Sequence, residues 1–207
     1  MTVIDNFEQI KKLLVFPNAN SFYFIQILQR KKDHPGERIG GSNNNSRVIK
    51  CYYITSIEQL ELHREEMIKL SQVFNARVSI SLNPRNFEKV AFRLLQKIAD
   101  QMSNKDFYNV RKSYESVCGL YSSEMDKRWL LDIDTKDSES IQKIQLAVSE
   151  LQEEIKNREY SILALIPTPH GYHIITNPFN LDRFSKIYPE IEVHKNNPTI
   201  LYYENKS

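Results

Sequence analysis

Residues 129–135, Trp-Leu-Leu-Asp-Ile-Asp-Thr, constrain the chain more than any other stretch. A short apolar run of this kind predicts a strand, and a strand sends alternate side chains to opposite faces. Asp132 and Asp134 then share one face, with Trp129, Leu131 and Ile133 on the other. Asp is depleted in strands, and two like charges this close are unfavourable unless something neutralises them. A divalent cation does so, because hard cations take carboxylate oxygens. The other reading is two carboxylates at a strand end that simply face water.

The chain of 207 residues suits one large domain or two small modules sharing a cleft. Its 41% hydrophobic and 11% aromatic content supplies a core and excludes global disorder. A formal net charge of +2 does not by itself argue for nucleic acid, so any basic surface must come from local clustering. Cys51 and Cys118 have no metal-ligand spacing and read as buried or half-buried thiols of a reducing compartment. The opening Met-Thr-Val-Ile-Asp-Asn-Phe has no signal-peptide core, and no apolar run reaches the roughly 18 residues of a membrane span. The expectation is a soluble cytoplasmic protein with no membrane partner.

Along the chain, the spacing predicts a helix over 5–15 and a strand over 21–29. Residues 30–47 hold Gly, Pro, Asn and Ser and predict a loop. The loop carries Arg30, Lys31, Lys32, Arg38 and Arg47 against Asp33 and Glu37, and is read either as a solvated hairpin tip or as a contact for a phosphate backbone. A strand (48–54), a helix (56–74) with Ser56 as N-cap and Gln59 at the capping-box position, and a strand (76–82) follow. After a turn at 83–86 come helices over 87–102 and 106–117, with Gly119 as a terminator, and a linker over 120–127.

From residue 128 the predicted order is strand (129–134), helix (138–157, capped by Asp137 or Ser138), strand (161–166), turn, strand (172–176), short helix (180–187) and strand (199–203). This is β-α-β-β-α-β, the split βαβ order. The fold expected is α+β: an N-terminal α/β module (1–120) packed on a C-terminal RRM/ferredoxin-like module (121–207), with an active site in the cleft between them. In that topology the first and third strands of the second module are antiparallel neighbours. Asp132 and Asp134, at the end of one, should meet His173, at the start of the other. His173 is then a phosphate contact or metal ligand, or else a sheet histidine bonded to a neighbour. The turn Thr168-Pro-His-Gly171 offers a hydroxyl and exposed amides to phosphate oxygens, although many hairpins use such residues. His170 is expected to be exposed; His34, His63 and His194 have no evident partner.

The strand ending Leu130-Leu-Asp-Ile-Asp134, followed by a helix, a strand and Thr168-Pro-His-Gly-Tyr-His173, resembles the archaeo-eukaryotic primase superfamily of primases and primase-polymerases. Residues 76–85 look like the N-terminal module of these proteins, so the resemblance spans roughly 22–203. It implies template-directed nucleotidyl transfer from nucleoside triphosphates on a single-stranded DNA or RNA template, in replication or repair. A helicase or another replication protein is an implied partner. Asp132 and Asp134 would be the catalytic residues and would hold Mg²⁺ or Mn²⁺. His173, Thr168, Gly171 and Arg128 would bind the nucleotide, with Lys127 and Lys136 as supplementary cations. The departure lies in the third motif, where the family has another acid before the last strand. Residues 194–199 have none, and Glu190, Glu192 and Glu204 are not evidently in register. A nucleotidyltransferase therefore stands beside two other readings: a catalytically weak or inactive nucleotide- or nucleic-acid-binding module, and an assembly protein with a vestigial site.

Overall fold

In the computed structural model, residues 2–34, 36, 46–120, 127–153 and 162–205 are described. In chain order the strands and α-helices are β1 (Thr2–Asp5), α1 (Phe7–Lys11), β2 (Ser21–Arg30), β3 (Ser46–Ile54), α2 (Ile57–Phe74), β4 (Arg77–Ser81), β5 (Arg85–Asn86), α3 (Phe87–Ser103) and α4 (Ser113–Leu120). The second half adds β6 (Trp129–Ile133), α5 (Ser138–Glu153), β7 (Ile162–Pro167), β8 (Tyr172–Thr176), α6 (Leu181–Ile187), β9 (Glu192–His194) and β10 (Pro198–Asn205). The architecture is α+β, with two antiparallel sheets. Most of the basic-loop reading (35 and 37–45), much of the 120–127 linker and the predicted end of the helix after residue 153 lie outside the described residues.

Alternation builds the first sheet, ordered β1-β10-β4-β2-β3, with β5 also paired to β2. Along β2, Tyr23, Ile25 and Ile27 join a buried cluster with Leu60 and Met67 of α2. Phe22 and Phe24, one residue out of phase, pack instead with Val90 of α3 and Val117 of α4. Helices thus bury both faces of this strand. The cap of α2 follows the sequence: Ser56 accepts from Gln59 N at 3.2 Å, and the Gln59 carboxamide accepts from Thr55 N at 2.7 Å.

The second sheet is ordered β7-β8-β6-β9. Leu131, Ile133 and Ile174 form one cluster with Ile144 and Val148 of α5 and Phe184 of α6. Leu130 and Ile175, paired across β6 and β8, belong with Ile166 to the cluster of the first sheet. The sheets are therefore fused through one core. Two buried asparagines stitch the seam. Asn6 donates to the Ile200 and Pro167 carbonyls at 2.9 and 3.1 Å. Asn83 exchanges a pair of hydrogen bonds with the Arg128 backbone at 2.8 and 3.1 Å.

Several elements depart from the sequence reading, among them β1, where no strand was expected, and α1, which is shorter than the helix expected over 5–15. The last strand, expected to complete the second sheet, lies in the first, between β1 and β4. Its partners, Ile4 opposite Tyr203 and Ile80 opposite Thr199, come from far away in sequence. The fourth strand of the second sheet is instead β9, three residues long, paired along β6. Finally, the helix expected over 106–117 divides into a 3-10 segment (Phe107–Lys112) and α4, which runs through Gly119 rather than stopping there.

Candidate functional site

Along β6, Leu130 and Asp132 share a face, and so do Ile175 and His173 along the antiparallel β8. One row is therefore apolar and sealed in the core, and the next is polar and opens into a cleft between the sheets. The cleft encloses about 610 Å³, within the size range of small-molecule sites.

Asp132 is directly opposite His173 on β8 and Glu192 on β9. Residues opposite one another in antiparallel strands point to the same face, so an imidazole and two carboxylates form a row across three strands. His173 Nε2 lies 3.5 Å from Asp132 Oδ1, and the ring is only 12% exposed. Its Nδ1 stands 2.8 Å from the hydroxyl of Thr199 on β10. Facing a carboxylate, Nε2 is assigned the proton, so Nδ1 accepts from the Thr199 hydroxyl. His173 thus ties the two sheets together and fixes the orientation of Asp132. Hydrogen bonding with His173 holds the Asp132 carboxyl below its ordinary range despite partial burial, and the charge of Lys32 acts in the same direction.

Asp134 also lines the cleft but follows the last residue of β6 and is exposed. Thr168 and Gly171 close the turn beside it: the Gly171 amide donates to Thr168 Oγ1 at 3.0 Å, and the Thr168 amide to the Gly171 carbonyl at 2.9 Å. The hydroxyl and amide expected to face phosphate are engaged with each other. Gly171 has a steric duty as well. A Cβ there would stand 1.9 Å from the Ile133 carbonyl oxygen and 2.8 Å from Thr135 N. Only glycine lets the turn lie against the chain segment that carries Asp134.

Arg128 lies apart from Asp132. It precedes β6, four residues before Asp132, or roughly 13 Å along an extended strand, and is not among the residues lining the cleft. Its guanidinium donates to the Leu82 carbonyl at 3.4 Å. Lys127 and Lys136 do not line the cleft either.

The sequence reading missed several contributors. Glu192 and His194, two apart on β9, both line the cleft, and Glu192 Oε2 is 3.2 Å from His194 Nε2. Arg77 of β4 lines the cleft as well, together with Arg30 and Lys32, which the sequence reading had already named in its basic loop. Three residues of β9 are too few to show an alternation in the sequence, and its partner strand was not evident. Neither thiol is among the residues lining the cleft, and burial pushes each up to about 11.

The carboxylates supply hard oxygen donors on one side of a polar cleft, which suits Mg²⁺ or Mn²⁺ in donor chemistry. Among the described residues, no three His, Cys, Asp or Glu side chains are gathered as a metal-binding group. No family model, curated protein or solved structure matches the chain. No helix among the described residues is long and apolar enough to cross a membrane.

Proposed function

We propose that the cleft is the active site of a primase-polymerase-like nucleotidyltransferase, which extends a nucleic-acid strand from nucleoside triphosphates on a single-stranded template. The observation that carries this reading is the row His173–Asp132–Glu192 facing a cleft whose opposite wall presents Arg30 and Lys32. Carboxylates on one wall and cations on the other match the needs of a metal-bound triphosphate. The strand order β7-β8-β6-β9 with its β-α-β-β-α-β succession supports reading the second sheet as RRM-like.

Asp132 and Asp134 would hold Mg²⁺ or Mn²⁺, and Glu192 adds negative charge to the same wall. Bound there, the ion supplies charge neutralisation for the attacking 3′-hydroxyl and the departing pyrophosphate. His173 keeps Asp132 ionised and correctly turned. The cations of the first sheet draw the triphosphate toward the carboxylate wall. A cytoplasmic place in replication or repair, beside a helicase or similar protein, follows from this reading.

Primer synthesis and primer extension on single-stranded DNA and RNA templates, with Mn²⁺ and with Mg²⁺, test it. Product from the wild type that disappears in Asp132→Asn supports the enzyme. Equal product from both, or none from either, removes catalysis from the account.

A second reading, a binding module without catalysis, is favoured by one observation. Asp134 stands beyond the strand end, and Glu192 is 76% exposed beside His194, so the carboxylates do not converge. Nucleic-acid binding that is strongly salt-dependent but indifferent to metal would select it.

A further inference from the structure

β2 leads into a 3-10 turn, Lys31–Asp33, at the cleft rim. The His34 amide closes the turn on the Lys31 carbonyl at 3.1 Å, and His34 Nε2 stands 2.8 Å from the Asn75 carbonyl oxygen. Asp33 points back into the sheet and receives two hydrogen bonds from Arg77 of β4, at 2.7 Å from Nε and 2.5 Å from Nη2. Both side chains are 7% exposed, and the guanidinium lies 5.0 Å over the Tyr203 ring of β10. A two-pronged, dehydrated ion pair of this kind fixes geometry as well as distance. It is costly to break, because either partner alone is a buried charge. Lys32, between the two anchored ends of the turn, is exposed and lines the cleft with Asp132.

We propose that Asp33 and Arg77 are positioning residues: their ion pair latches the turn so that the Lys32 ammonium faces the carboxylate wall and holds the polyphosphate of the ligand. The proposal rests on the cleft being a nucleotide site, but concerns which residue of the first sheet takes the anion and what keeps it in place. A lysine on a free loop would lose much of its attraction to side-chain and loop entropy. The latch removes that loss before the ligand arrives.

Titration of the purified protein with inorganic tripolyphosphate, in chelator and without template, isolates this contact from catalysis. Lys32→Ala should weaken binding about tenfold, the effect of one charge-assisted hydrogen bond. Asp33→Asn should weaken it by a similar factor while unfolding remains cooperative, and adding Lys32→Ala to Asp33→Asn should cost less than a further twofold, because both act through one ammonium. Arg77→Lys, which keeps the charge but gives up the fork, should repeat the Asp33→Asn result should that variant not fold. Lys143→Ala, on the exposed face of α5, should bind like wild type. The proposal is overturned if wild type does not bind tripolyphosphate, or if Lys32→Ala binds as tightly as wild type. Additive effects of Lys32→Ala and a latch variant, or latch variants that fold and bind normally, overturn it too. A wild type that binds tripolyphosphate through Lys32 yet makes no primer would refute catalysis and leave the latch standing.

Discussion

Glu192 lies directly across the β6–β9 strand pair from Asp132. The acid with no evident place in the sequence thus shares a face with the one that defines the site.

Glu192→Gln should weaken Mn²⁺-dependent nucleotide binding about tenfold, the loss of one charged contact. Its side chain is 76% exposed, so stability should change by no more than about 0.5 kcal/mol. Calorimetric titration and thermal melts of the same samples check both halves. Unchanged affinity would remove Glu192 from the site.

The meeting of Asp132 with His173 is legible in the amino-acid sequence. Alternation sets the face of each residue, and antiparallel neighbours at the sheet centre bring a strand end beside a strand start. The placement of Glu192 is not legible there, since three residues of β9 are too few to show a period. Nor does alternation reveal that β10 joins the first sheet: Thr199 pairs with Ile80, and such long-range choices are made by packing.

Asp132 also sets a pH dependence. Its carboxyl is held below the ordinary range in the fold, chiefly by His173. A depressed folded pKa adds stability above the unfolded value of about 3.9 and loses it as pH falls through the folded value. The melting temperature of wild type should exceed that of Asp132→Asn at pH 6, and the gap should close in strong acid. A gap that widens on acidification would reverse the assignment.

Gly171→Ala should be among the more damaging single-methyl additions in the chain. The new Cβ would meet the Ile133 carbonyl oxygen at 1.9 Å, and forced overpacking costs about 1–3 kcal/mol. A lowered denaturation midpoint together with weaker metal–nucleotide binding is expected, because the displaced backbone leads into Asp134. A variant as stable as wild type would contradict the close approach.

Arg128→Ala should leave nucleotide affinity within about twofold, an ordinary result for a side chain away from the ligand. Its guanidinium reaches the Leu82 carbonyl rather than the cleft. Competitive displacement of a fluorescent nucleotide measures this. A tenfold loss would return Arg128 to the site.

The most direct test of the central claim is calorimetric titration of a nucleoside triphosphate into wild type and Asp132→Asn, with and without Mn²⁺. The account predicts binding by wild type that strengthens at least about tenfold with the metal, and a metal effect that is lost in Asp132→Asn. Nucleotide binding that ignores Mn²⁺, or that survives Asp132→Asn with its metal dependence intact, would contradict it.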